Sequence, residues 1–159
     1  MHSYQVNHKG NAKRPEFIEA LMKSNAYAHN VSKIELIETH ISWILLTGKY
    51  AYKIKKALTL GSIKYSTLHR RKLYCDEEIR LNMRLAGDLY IGVSRVLGPA
   101  NKAKISEQEV PKNSLIIDYA IKMFQFDQST LLYNSLKAGN NHLKGLEELG
   151  ATLANFHFS

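Results

Sequence analysis

The stretch ISWILLTGKYAYKIKK, residues 41–56, decides which fold the rest of the chain can adopt. Branched and aromatic residues dominate its first half and predict a strand over 41–47. Gly48 and Lys49 form a tight turn, and a second strand returns over 50–56. This predicted hairpin ends in AYKIKK, whose lysines need either solvent or an anionic partner, because an unpaired buried ammonium is costly.

The lysines of the second strand admit two interpretations. Alternate residues of a strand share a face, so Ala51 lies on the same face as Lys53 and Lys55. Taken alone, the strand favours an amphipathic hairpin with its lysines in water, since lysine is rarely buried. The other interpretation gives Lys53 an anionic partner or ligand, with the small Ala51 leaving room for a flat ligand beside the ammonium.

Outside the hairpin, the pattern predicts an α+β chain with no internal repeat. The predicted elements, in chain order, are a short helix opening at Pro15, a strand over 33–40, the hairpin, a long helix over 68–85 capped by Ser66-Thr67, strands over 89–97 and 115–126 joined by a polar connection, a helix capped by Ser129 and Thr130, and a last helix with an apolar stripe.

The long helix supplies a candidate partner for Lys53. Glu78 is expected on the buried, apolar stripe of this helix, whereas Glu77 is expected to face Arg80 and Arg84 as a surface ion-pair residue of little energetic value. A carboxylate on a buried face needs a cationic partner, and Lys53 lies on the strand just before the helix. The other members of the predicted stripe are Tyr74, Leu81 and Leu85.

Composition bounds the class of protein. The 159 residues are 45% hydrophobic and 23% charged, which is typical of a globular domain. No apolar run is long enough to cross a membrane, and the N-terminus has no signal-peptide core, so no membrane partner is expected. A single cysteine, Cys75, excludes an intrachain disulfide and fits a cytoplasmic location; it is expected to be a packing residue.

The net charge of +8 leaves a second class of function open. A small basic module that binds nucleic acid or an acidic partner is the alternative hypothesis. The chain has no zinc-finger spacing and no arginine-rich tail, so the sequence argues against a nucleic-acid partner. The run His69-Arg70-Arg71-Lys72 is interpreted as a solvated first turn of the long helix.

Three stretches of the chain resemble the N-terminal part of bacterial proteins that are similar to aminoglycoside phosphotransferases. These proteins have a protein-kinase-like fold and are often fused to a P-loop ATPase domain. The resemblance covers roughly residues 15–157, and it rests on LIETHISWILLTGKYAYKIKK at 36–56, YSTLHRRKLYCDEEIRLNMRLAGDLYIGV at 65–93 and IDYAIKMFQF at 117–126.

The resemblance implies a fold and a nucleotide site. Residues 1–14 would be a loose N-terminus, 15–126 a kinase-like small lobe with a five-stranded antiparallel sheet and one long helix, and 127–159 the first two helices of the large lobe. Lys53 would contact the phosphates of ATP, with Glu78 as its helix partner. The other implied nucleotide-binding positions are Ala51 beside the lysine, Met123, Phe124 and Phe126 at the adenine, and Thr39 and Ser42 at the first turn.

The chain departs from the family pattern in ways that restrict the expected activity. Its first turn has no glycine, and it contains no His-x-Asp motif followed by a metal-binding aspartate. We therefore expect a truncated segment with no catalytic and no metal-binding residue of its own, weak or absent ATP binding, and Mg²⁺ only with the missing lobe. Whether it acts as an enzyme is left open, and the phosphate acceptor is unknown.

A degenerate remnant without activity, self-associating through exposed C-terminal helices, is a further alternative.

Overall fold

Six antiparallel strands form the main sheet of this α+β chain in the computed structural model, which describes residues 14–139 and 143–158. The strands of the described chain are β1 (Glu35–Glu38), β2 (Ser42–Leu46), β3 (Tyr50–Lys55), β4 (Thr59–Leu60), β5 (Ile63–Lys64), β6 (Tyr90–Leu97), β7 (Lys104–Ser106) and β8 (Ile116–Phe124). The α-helices are α1 (Glu16–Leu21), α2 (Leu68–Ala86), α3 (Leu132–Lys137) and α4 (Leu143–Phe158).

The strand order of the main sheet is β1-β2-β3-β8-β6-β7. The five predicted strands are all present, but the prediction of a five-stranded sheet was wrong by one strand. β7 comes from the segment predicted as a polar connection, and it pairs with β6 at the sheet edge. The loop after β3 also contains a small separate hairpin of β4 and β5. Strands of two or three residues are too short to show an alternating pattern in the sequence.

The β2–β3 hairpin forms as the sequence predicts. Gly48 occupies the turn with φ 91°, a left-handed conformation that favours glycine. The register places Lys53 opposite Ile44 of β2 and opposite Ile121 of β8. Lys53 therefore lies on a central strand with neighbours on both sides, which fixes its position along the sheet.

The two faces of β3 have different surroundings. Tyr52 and Ile54, both 0% exposed, belong to a core that also contains Ile18 and Leu21 of α1. The lysines of β3 point to the opposite face, where α2 lies against the sheet. Alternation along a single strand thus separates an apolar core from a charged layer.

The face of α2 that meets the sheet differs from the predicted stripe. Leu81 and Leu85 are 47% and 50% exposed, whereas Arg71 and Cys75 are buried. The prediction assigned the buried face by apolarity alone. The helix instead buries polar side chains that pair with residues of the sheet, as the ion pairs of Arg71 and Glu78 show.

A second unit begins at Phe126, after a first unit that ends at Gln125. A short 3₁₀ turn, Gln128–Thr130, precedes α3, so α3 begins at Leu132 rather than directly after the predicted cap residues. Several apolar side chains of α3 and α4 are 40% or more exposed, namely Leu132, Tyr133, Leu136, Leu146, Leu149, Leu153 and Phe158. Self-association through these helices stays a prediction.

Candidate functional site

A cluster of two lysines and one glutamate lies between β3 and α2. The Nζ atom of Lys53 donates to Oε1 of Glu78 at 2.7 Å, and the Nζ atom of Lys55 donates to Oε2 at 2.6 Å. The pairing of Lys53 with Glu78 was expected from the sequence; the second lysine was not. We call these three residues the Lys–Glu–Lys triad.

Local structure explains why the three side chains meet. Lys53 and Lys55 are two residues apart on a strand and therefore point to the same face. Glu78 lies on the middle of α2, whose first turn is fixed by Thr67, since Oγ1 of Thr67 accepts from the backbone N–H of Arg70 at 3.3 Å. The strand places the two lysines on one face, and the helix places the carboxylate of Glu78 between their ammonium groups.

Burial and charge act against each other within the triad. Burial alone would lower the pKa of Lys55, but its hydrogen bond to Glu78 and the charge of Glu78 outweigh that effect and raise the pKa. Burial alone would raise the pKa of Glu78, but hydrogen bonds from the two lysines hold it below its ordinary value. Glu78 and Lys55 therefore both stay ionised at neutral pH.

The side of the triad next to Cys75 is closed to water. Cys75, one turn before Glu78 on α2, is 0% exposed, and burial raises its pKa to about 12. The thiol is therefore neutral and packs as a small apolar group, as the sequence predicts. The ring of Tyr65 lies with its centroid 5.0 Å from Nζ of Lys55, which adds a cation–π contact on that side.

A second buried ion pair fixes the start of α2 to the sheet. Nε of Arg71 donates to Oδ1 of Asp118 on β8 at 2.8 Å, and Nη1 of Arg71 donates to the carbonyl of Tyr65 at 3.1 Å. The prediction that residues 69–72 form a solvated turn was therefore wrong for Arg71. Its spacing from Cys75 and Glu78 follows one helix face, but an arginine in a basic run gives no sign of burial in sequence.

Other predicted nucleotide-binding residues lie on the strands around Lys53. Ala51 is 6% exposed and sits opposite Met123 of β8. Phe124, at the end of β8, is 46% exposed and has its ring centroid 5.7 Å from that of Tyr50. Ala51 and Met123 are thus paired with each other two positions along the strands from Lys53 and Ile121, and Phe124 ends β8.

The predicted residues of the first turn are Thr39, which holds the turn, and Ser42, which is buried. Oγ1 of Thr39 accepts from the backbone N–H of Ser42 at 2.9 Å and holds the β1–β2 turn. Ser42 is 1% exposed, and its hydroxyl has no hydrogen-bond partner within the described residues. Phe126 belongs to the second unit and is 42% exposed. Neither Thr39 nor Ser42 has a hydrogen bond to the triad within the described residues.

A polar cluster on the other face of β3 serves the fold. The hydroxyl of Tyr52 and Nζ of Lys122 both donate to Oε1 of Glu107, at 3.1 and 2.6 Å. Nζ of Lys122 also lies 3.8 Å from the ring centroid of Tyr50. Each of these polar groups is used in attaching the segment after β7 to the sheet, so we assign the cluster no ligand.

The two basic runs of the sequence face carboxylates of their own chain. Lys56 donates to Glu38 at 2.6 Å, and Lys72 pairs with Asp76 one turn later on α2. Together with the triad and the Arg71–Asp118 pair, these contacts place an internal acid beside most of the cations in both runs. Most cations of the two runs are therefore engaged in ion pairs within the described residues.

The described part of the chain holds no group of three or more metal-ligating side chains arranged to bind a metal ion. No helix among the described residues combines the length and the apolar content that crossing a membrane requires. Among the ion pairs of the described residues, the triad joins two ammonium groups to one carboxylate.

Comparison with known proteins gives a limited match. Two proteins named as uncharacterized, from Mycobacterium tuberculosis and Mycobacterium bovis, are each 33% identical to the chain over 67 residues. The match covers 42% of this chain and 14% of each mycobacterial protein, so it spans a small part of those relatives. No protein-family model matches the chain, and no solved structure matches it significantly.

Proposed function

We propose that this chain is the nucleotide-binding N-terminal segment of an aminoglycoside phosphotransferase-like kinase, with ATP as the ligand. The observation that carries the proposal is the ion pair between Lys53 of β3 and Glu78 of the next helix, at 2.7 Å. In protein kinases a strand lysine held by a helix glutamate contacts the nucleotide phosphates. The same pair of elements supplies the two residues here.

The residues near Lys53 fit a nucleotide. The triad holds two ammonium groups against one carboxylate, so it retains one positive charge for a phosphate group. Ala51 has no side chain beyond Cβ and would leave space beside Lys53. Met123 and Phe124, at the end of the strand paired with β3, would hold the adenine ring.

The order of the elements also supports the proposal. Along the chain, three strands of the main sheet precede α2 and three follow it, and the resemblance implies a small lobe with three strands before the helix and two after it. The hydroxyl of Thr39 is used in holding the β1–β2 turn and that of Ser42 is buried, which does not support a contribution of the first turn to phosphate binding. We therefore base the phosphate site on Lys53.

The proposed activity is binding and not phosphate transfer. The chain contains no His-x-Asp motif, which supplies the base of the family reaction, and no metal-ligand cluster is found among its described residues. ATP would supply the phosphates that Lys53 neutralises. In the family reaction a Mg²⁺ ion is held by an aspartate that follows the His-x-Asp motif, so neither Mg²⁺ nor an acceptor is proposed for this chain.

The proposal is tested by titrating the chain with ATP in a calorimeter. We expect weak binding, near 1 mM or about −4 kcal/mol, and a loss of at least about tenfold in Lys53→Met. The variant should fold, because Lys55 still pairs with Glu78. Lys33→Met is the matched control: this lysine is 77% exposed and pairs with Glu35 away from the triad. Equal ATP affinity in Lys53→Met and Lys33→Met would overturn the proposal.

A further inference from the structure

The triad contains one more cation than the pairing of a single lysine with a single glutamate needs. Glu78 presents one carboxylate, and its two oxygens are each occupied by a different ammonium group, at 2.7 Å for Lys53 and 2.6 Å for Lys55. A strand lysine paired with a helix glutamate would be electrically neutral. The third residue changes the charge of the site to +1.

The two lysines are not equivalent, because they differ in burial. The side chain of Lys55 is 3% exposed, whereas that of Lys53 is 27% exposed. A buried ammonium without a partner is strongly unfavourable, so Lys55 cannot give up Glu78. Lys53 can exchange its contact with Glu78 for a contact with a ligand, since part of its side chain already reaches solvent.

The pKa shifts of Lys55 and Glu78 agree with the different burial of the two lysines. The hydrogen bond and charge of Glu78 outweigh burial and raise the pKa of Lys55, which keeps the buried lysine charged. The two lysines together hold the pKa of Glu78 below its ordinary value. Glu78 is therefore ionised at neutral pH, where its charge is neutralised by the ammonium groups beside it.

We propose that Lys55 is a positioning residue that neutralises Glu78, so that the positive charge of Lys53 is free for the phosphates of a bound nucleotide. This inference rests on the proposed function and adds to it the residue that sets the charge of the site. Without Lys55, Glu78 would hold Lys53 as its own counter-ion, and a phosphate would have to compete with the carboxylate. Lys55 itself does not touch the ligand.

The test changes the charge of the triad by substitution and measures the ATP affinity of each variant by calorimetric titration. Lys55→Met leaves the triad neutral, and we expect ATP affinity to fall by about tenfold, or ~1.4 kcal/mol. The double variant Lys55→Met/Glu78→Gln restores the single positive charge on Lys53, and its affinity should return to within about threefold of the original, ~0.6 kcal/mol. Lys55→Arg, which keeps the charge, should bind as the unchanged chain does.

Matched controls separate this effect from folding and from the overall charge. Lys56→Met removes a charge from the next residue, whose ammonium pairs with Glu38, and should leave ATP affinity unchanged. Urea unfolding followed by the fluorescence of Trp43, the single tryptophan, reports whether each variant is folded. The double variant should fold, because it removes the carboxylate and the buried ammonium together.

The outcomes distinguish a failure of the role of Lys55 from a failure of the proposed ATP binding. If the unchanged chain does not bind ATP, the proposed function fails and the inference fails with it. If Lys53→Met loses ATP binding while Lys55→Met keeps it, the function stands and the role of Lys55 is wrong. If Lys55→Met loses binding and the double variant does not recover it, Lys55 has a purely structural role and the inference is overturned.

Discussion

At the scale of single residues, Glu78 carries the site, because its one carboxylate accepts hydrogen bonds from two lysines of β3. The sequence predicted Glu78 as a buried carboxylate and Lys53 as its partner, since a helix position and a strand position can each be assigned to a face. The sequence did not predict the hydrogen bond from Lys55 to Glu78 or the burial of Arg71. Both are basic residues within basic runs, and such runs are usually solvated.

We predict that Glu78→Gln weakens the fold and changes its response to acid. At neutral pH the loss of the carboxylate leaves Lys55 buried and unpaired, which should cost about 3 kcal/mol of the free energy of unfolding. The pKa of Glu78 lies below its ordinary value of 4.5 in the folded chain. The unfolded chain therefore binds the extra proton first, and the contribution of Glu78 is full above pH 4.5 and is lost as the pH falls below it.

Urea unfolding between about pH 3 and pH 7, with Glu77→Gln as the control, would measure this contribution. These limits lie about one unit or more on either side of an ordinary carboxyl pKa. Glu77 pairs with Arg80 on the exposed side of the same helix, so its variant should differ little from the original chain. Because Glu107 also has a lowered pKa, the informative quantity is the difference between the variants. An identical acid dependence in the original chain and Glu78→Gln would contradict the prediction.

At the scale of secondary structure, the β2–β3 hairpin is the element that positions the site. Its strands and its turn follow from residues 41–56 alone, since branched residues, a glycine turn and a two-residue alternation coincide there. β7 and the β4–β5 hairpin could not be predicted in the same way. They are short and are formed by pairing with neighbours that the sequence does not specify.

We predict that Gly48→Ala destabilises the hairpin by about 1–2 kcal/mol, because a Cβ atom is strained in a left-handed conformation. Gly48 has φ 91°, and an added Cβ would meet no other atom, so the strain belongs to the backbone alone. Gly92→Ala is the matched control, since Gly92 lies in β6 with open space around it and no positive φ. Thermal unfolding of both variants measures the difference; equal melting temperatures would contradict the assigned turn.

At the scale of the whole molecule, the chain is an α+β protein with one large antiparallel sheet and a charged layer beneath α2. The sequence predicted this class and the order of the main elements. It misplaced the buried face of α2, because it ranked residues by apolarity and the helix buries ion-paired side chains. The proposed function depends on that charged layer, and specifically on Lys53 being available to an anion.

The most direct test is the reactivity of Lys53 towards limiting acetic anhydride: the folded chain is labelled with and without ATP, and mass spectrometry of its peptides then locates the acetylated lysines. ATP at several millimolar, a few times a dissociation constant of about 1 mM, should slow acetylation of Lys53. The reaction of Lys33, which is 77% exposed, should not change, and adenosine without phosphates should give no protection. Acetylation of Lys53 at the same rate with ATP as without it would contradict the binding of ATP phosphates by Lys53.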